Sequence, residues 1–183
     1  PSKKEEKMIA YLKAFGAKHN LETKVDEAGN VLIKKPATPG KENLQTVVLQ
    51  SHIDMVCEKN NDVQHDFLTD PIETEIDGEW LKAKGTTLGA DNGIGVATEL
   101  AILADDSIEH GPLECLFTVD EETGLTGAFA LQEGFMSGDI LLNLDSEDEG
   151  EIFIGCAGGI DTVIRLPYRK MVLPAHKFAV QVK

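Results

Sequence analysis

Four places in this sequence set side chains that bind metals or move protons at the ends of apolar runs. Leu113 to Val119 has the composition of a buried strand and stops at Asp120-Glu121-Glu122-Thr123-Gly124. Adjacent carboxylates in such a place repel one another and are partly desolvated, so they stay ionised only when a cation neutralises them. The alternative is a solvated acidic turn after an edge strand. Thr46 to Ser51, without alternation, reads as a central strand covered on both faces, and it delivers His52-Ile53-Asp54 at its end. Residues two apart in an extended chain share a face, so Asp54 is placed to orient His52, either as the carboxylate behind a metal-bound imidazole or as a purely structural partner.

The third place is Gly89-Ala90-Asp91-Asn92-Gly93-Ile94-Gly95, followed by Val96, Leu100 and Leu103 at helical spacing. Asp91 then lies in a glycine-flanked turn just before a helix, either as its N-cap or as a carboxylate that the glycines allow to approach a ligand closely. Fourth, Ile140 to Leu144 reads as a buried strand ending at Asp145; Glu147, Asp148 and Glu149 beyond it are expected to be solvated. In open α/β sheets, ligands collect beyond the carboxyl ends of the strands, where His52, Glu121, Glu122 and Asp145 would gather. One imidazole with several carboxylates suits zinc, manganese or cobalt better than calcium, and one carboxylate can bridge two ions about 3.5 to 4 Å apart.

These residues need a frame. Met8, Ile9, Leu12 and Phe15 recur at helical spacing, with Gly16 near the expected end of that helix. Lys24–Asp26 and Val31–Ile33 read as a hairpin about residues 27–30, and Asp77-Gly78 marks a second hairpin within the polar stretch from Val56 to Thr87. His65 and Asp66 belong to that stretch and are expected on the surface. Gly124 to Leu131 reads as a turn into a further helix, and residues 151–155, 161–166 and 177–182 alternate as half-exposed antiparallel strands do. Because the last run stops without a partner strand, the chain is expected to be a piece of a longer protein. Strands and helices in this order predict an α/β fold.

A chain of 183 residues, 42% hydrophobic, can bury one sizeable core. Its net charge of -15 opposes binding to nucleic acid or to anionic membranes and is compatible with cation binding. No apolar stretch approaches the roughly 20 residues that cross a bilayer. Cys57, Cys115 and Cys156 form no CxxC pair, which argues for a reducing, cytoplasmic setting, with Cys115 a small buried hydrophobe.

Taken together, Ser51-His52-Ile53-Asp54-Met55-Val56, the Gly89 to Gly95 turn, Asp120-Glu121-Glu122-Thr123-Gly124, Asn143-Leu144-Asp145-Ser146-Glu147 and Gly155-Cys156-Ala157-Gly158-Gly159 resemble the bacterial aminoacyl-histidine dipeptidases of the M20 metallopeptidases. The resemblance implies an α/β/α sandwich with a mixed central sheet, residues 1–183 being the N-terminal part of its catalytic domain. It implies hydrolysis of dipeptides of the Xaa-His type at a site of two zinc ions, or of manganese or cobalt in their place. Asp91 would bridge the ions ahead of a cis Asp91-Asn92 peptide. His52 and Asp145 would complete one shell, Glu122 would bind the other ion, Asp54 would orient His52, and Glu121 would be the general base. The family's remaining histidine ligand comes from near the C-terminus of a longer chain, and neither His110 nor His176 matches its motif. The family's lid domain, through which a homodimer would form, is also missing, so this piece alone is expected to be inactive. Rival readings are another M20 hydrolase, such as a tripeptidase, aminoacylase or deacetylase, and a catalytically silent metal-binding domain. The implied partner is a small peptide.

Overall fold

The computed structural model describes residues 1–146, 150–155, 158–160, 162–169, 176–178 and 180. They fall into two compact units, Pro1–Glu147 and Asp148–Lys183. In the first, helix α1 (Glu6–Lys18) is followed by β1 (Glu22–Val25), β2 (Val31–Lys35) and β3 (Val47–His52). A separate hairpin, β4 (Thr74–Asp77) and β5 (Trp80–Ala83), precedes helix α2 (Ala90–Ala104) and strand β6 (Leu113–Thr118), and then come α3 (Thr126–Ala130) and β7 (Ile140–Asn143).

The main sheet has the order β1-β2-β6-β3-β7. β1, β2 and β6 pair antiparallel, whereas β3 runs parallel to both β6 and β7. The mixed sheet is the one expected, and its apolar side chains alternate between the two faces as the pleat requires. Val31, Ile33, Leu49, Cys115 and Phe117 face one side and pack with Leu12 of α1 and Val96 and Leu103 of α2. Leu32, Val48 and Leu116 face the other, against Leu131, Phe135 and Met136, which follow α3. Every residue of β6 is buried, because it lies between two strands and under two covered faces.

Gly16 does lie near the end of α1, which stops at Lys18, and it is also a close-packing position where a Cβ would lie 2.0 Å from Thr23 Oγ1. Three expectations need correcting. β7 is not a buried strand: among the described residues it is the edge of the sheet, paired only with β3, and Leu141 is 49% exposed. Asp91 is not the N-cap of α2. Gly89 takes that place with φ 76°, a left-handed conformation that glycine adopts at little cost, and Asp91 sits inside the first turn with non-helical backbone angles. Finally, among the described residues of 151–155 and 161–166 there is no strand, and of 177–182 the described ones are likewise unpaired. Alternation is necessary for a half-buried strand but does not supply the neighbouring backbone that its N–H and C=O groups require. Glu147, Asp148, Glu149 and Cys156 lie outside the described residues.

Candidate metal centre

Parallel pairing brings three strand ends to one edge of the sheet. His52 is level with Thr118 across the β3–β6 pair, and Gln50 is level with Asn143 across the β3–β7 pair. The ladders run one bond further, with Ile53 N–H donating to Thr118 O at 2.9 Å and Leu144 N–H to Gln50 O at 2.8 Å. Two to four residues past the last rungs, the chain delivers Asp145, Glu121 and Glu122 around the His52 ring. α2 fills the crossover between β3 and β6 and brings Asp91 to the same place.

His52 is 1% exposed. Its Nε2 lies 3.0 Å from Asp91 Oδ1, 3.7 Å from Asp145 Oδ1 and 3.9 Å from Glu121 Oε2. Its Nδ1 lies 2.9 Å from the backbone oxygen of Asp54 and 3.3 Å from Asp54 Oδ1. Asp54, 2% exposed, does more than face the imidazole. Its carboxylate accepts the backbone N–H groups of Glu121 at 3.0 Å and Glu122 at 3.2 Å and the Ser2 hydroxyl at 2.7 Å. One buried carboxylate thus ties the histidine to the loop that carries the acidic pair.

The peptide between Asp91 and Asn92 is cis. Asn92 is buried, donates from Nδ2 to Asp145 Oδ1 at 2.8 Å, and accepts the Gly95 N–H at 3.0 Å. Asp145 is therefore held by a side chain next to Asp91, a contact that strand-end reasoning did not supply. Ser2 was missed as well, since nothing in its local sequence ties it to a residue 52 positions away.

The ionisation of the cluster follows from its crowding. Burial alone would lower the His52 pKa, but hydrogen bonds to Asp54 and Asp91 and the charge of Asp145 lift it to about 9. Burial would raise Asp54, yet its hydrogen bonds from His52, Glu121, Ser2 and Glu122 hold it well below the carboxylate range. Glu121, Glu122 and Asp145 are all raised, by burial first and then by neighbouring acids, which outweigh the pull of His52. A single imidazolium does not neutralise this many carboxylates. A divalent cation would reverse those shifts by favouring the charged forms.

The donors also fit geometrically. Ligand atoms of His52, Asp91 and Asp145 lie within 4.8 Å of one another, and so do those of His52, Glu121 and Glu122. The first trio is one of the two expected shells; the second groups Glu122 with His52 and Glu121 rather than with Asp91. A third trio, Glu5, Asp54 and Asp120, is buried. There Glu5 accepts the Lys3 and Asp120 N–H groups, while Asp120 accepts the hydroxyls of Thr123 and Thr126.

The model of the peptidase family M20/M25/M40 matches residues 48–165, a span that holds the whole cluster. This chain belongs to that family. The M20 resemblance carried by the motifs is thereby supported, and the mixed α/β sheet is shared with a solved structure. The aminoacylhistidine dipeptidase from Vibrio alginolyticus superposes with a TM-score of 0.80 at 59% identity, over 82% of this chain and 31% of that one. The cytosol non-specific dipeptidase of Escherichia coli is 54% identical over 175 residues, 96% of this chain and 36% of that protein. An aminopeptidase PepT from Bacillus cereus matches with a TM-score of 0.68 at 26% identity, covering 81% of this chain and 40% of that one. The M20 chain described here thus spans about a third of the length of the Escherichia coli and Vibrio relatives. No helix among its described residues is long and apolar enough to cross a membrane.

Proposed function

We propose that this chain is the N-terminal part of the catalytic domain of a zinc dipeptidase that hydrolyses Xaa-His dipeptides. The observation that carries the reading is the convergence of His52, Asp91, Asp145, Glu121 and Glu122 at three adjacent parallel strand ends, in a chain of this family. His52, Asp91 and Asp145 would hold one ion, and Glu122 together with Asp91 would contribute to the other; manganese or cobalt would fit the same donors. When bound, such ions polarise a peptide carbonyl and bring the pKa of water towards roughly 7. Glu121 takes the proton from the attacking water and returns it to the leaving amine. A general base works best with a pKa near the operating pH, and the upward displacement of Glu121 by burial has that direction. Asp54 holds the Glu121 backbone and the His52 ring in register, so base and ligand are set by the same carboxylate.

The Xaa-His preference rests on the name of the Vibrio relative, and the coverage of about a third of the relatives supports the placement as the N-terminal part. The lid domain, a homodimer formed through it, and the remaining histidine ligand belong to sequence beyond these 183 residues in this reading. A cytoplasmic setting rests on the name of the Escherichia coli relative. That same name favours a second reading in which the enzyme takes dipeptides broadly. Metal content and hydrolysis of a dipeptide panel, measured on the full-length protein with and without Glu121→Gln, test both. The account expects about two zinc ions, preferential Xaa-His cleavage, and a roughly 10²- to 10⁴-fold loss of kcat with metal retained in the variant. Even cleavage across the panel supports the broader enzyme; a protein with neither zinc nor hydrolysis removes both readings.

A further inference from the structure

The segment before α1 packs against the centre through two hydrogen-bonding side chains that neither the ligand set nor the base assignment uses. Ser2 donates its hydroxyl to Asp54 Oδ2 at 2.7 Å, across 52 residues of chain. Three residues on, Glu5 is 8% exposed, and its Oε1 accepts the Lys3 N–H at 2.7 Å and the Asp120 N–H at 3.2 Å. Lys3 and Asp120 are both non-glycine residues in the left-handed region, with φ of 62° and 50°. That conformation costs roughly 1 to 2 kcal/mol per residue and persists only where the surroundings hold it. One carboxylate therefore secures both strained residues, and so joins the Ser2 to Glu5 turn to the start of the loop that carries Glu121 and Glu122.

Asp54 is the point on which this turn acts. Its Oδ1 faces His52 Nδ1 and the Glu121 N–H, and its Oδ2 receives the Glu122 N–H and the Ser2 hydroxyl. Without the hydroxyl, Oδ2 keeps only the Glu122 N–H, and the carboxylate is held less firmly against rotation about its Cβ–Cγ bond, the motion that would carry Oδ1 away from the imidazole. A hydroxyl donor costs nothing in charge here, whereas an ammonium would neutralise Asp54 and weaken its hold on His52. We infer that Ser2 is a positioning residue of the metal centre, acting through Asp54 on the His52 ring and on the backbone of Glu121 and Glu122. The functional half of this inference rests on the metallopeptidase reading, while the orientation of Asp54 and His52 does not.

The test compares wild type, Ser2→Ala and Ser2→Thr in the full-length protein. Ring nitrogen signals of His52 are recorded by NMR on metal-free protein, zinc affinity by competition with a chelator, and kcat and KM on an Xaa-His dipeptide. In Ser2→Ala the His52 ring signals are expected to shift, zinc to bind roughly tenfold more weakly, and kcat to fall with KM unchanged. Ser2→Thr, which keeps the hydroxyl, is expected to restore all three. Unchanged ring signals in Ser2→Ala, a change confined to melting temperature, or a Ser2→Thr protein that behaves like Ser2→Ala overturns the assignment. Should wild type bind no zinc, the metallopeptidase reading fails while the ring signals still decide the role of Ser2.

Discussion

The two ends of β6 carry buried or half-buried glutamates in opposite electrical situations. At the start, Glu114 is 2% exposed and fully served: Lys34 Nζ lies 2.6 Å away, and Ser137 donates its N–H at 2.7 Å and its hydroxyl at 2.6 Å. Burial alone would raise its pKa, but Lys34 and Ser137 bring it below the ordinary value. Beyond the other end of the strand, Glu121 and Glu122 have no lysine or arginine within salt-bridge range among the described residues, and both are raised. A carboxylate that serves the fold arrives with its counter-charge and its donors. Those around a ligand are left short of them together, and a shortfall shared by several carboxylates about one histidine marks the site.

A fourth glutamate is short of partners but stands alone. Glu99 of α2 is fully buried, neither of its oxygens has a hydrogen-bond partner, and its polar neighbours are the Ser51 hydroxyl and the Cys115 thiol. Burial pushes its pKa up to about 9. Folding must then take up a proton at neutral pH, so the stability Glu99 allows is complete below its ordinary value of 4.5 and is lost as pH rises towards about 9. Replacing it with Gln removes that uptake. Glu99→Gln is expected to be more stable than wild type at pH 8 by on the order of 3 kcal/mol, and its urea midpoint to be flatter between pH 5 and 9. Equal pH profiles would show that Glu99 titrates as an ordinary surface acid.

Glu114 must behave in the opposite sense. Its folded pKa is lowered, so its contribution is present above the unfolded value and lost as pH falls through the folded one. Glu114→Gln is expected to cost about 2 kcal/mol near pH 7, with the difference from wild type shrinking as the pH is taken below the ordinary value of 4.5, read from urea midpoints. A difference that stays constant with pH would separate the loss from ionisation. The smallest effect is expected from Asn92→Ala, which frees Asp145 and the Gly95 N–H: about 1 kcal/mol of stability and a few-fold weaker zinc binding, measured by chelator competition. Unaltered zinc affinity there would mean that Asp145 needs no anchor.

Much of this was legible in the sequence because strand ends are where composition changes abruptly. Ser51-His52-Ile53-Asp54 and Val119-Asp120-Glu121-Glu122 each step from apolar to acidic within a residue or two, and parallel pairing of β3, β6 and β7 is enough to bring them together. What stayed hidden was carried by contacts distant in sequence or by the absence of a partner. Ser2 meets Asp54 from the far end of the chain, and Glu99 sits in a helix whose apolar and small neighbours give no cue that a carboxyl is turned inward. The apolar run of β7 signals burial, yet only a neighbour on its open edge and a cover on its faces would produce it. The described residues of the alternating segments beyond residue 150 lack paired neighbours for the same reason.

The central claim is that the under-neutralised strand ends hold a divalent cation while the Glu114 end does not. Zinc-dependent stabilisation of the full-length protein tests it most directly, as the shift in melting temperature on adding zinc to metal-free wild type, His52→Ala and Glu114→Gln. The account predicts a rise in wild type, equivalent to about 2.7 kcal/mol at a hundredfold excess over Kd. It predicts the same rise in Glu114→Gln and a clearly smaller one in His52→Ala, which loses a ligand of one of the two ions. A wild type that zinc does not stabilise, or a His52→Ala protein stabilised as much as wild type, would contradict it.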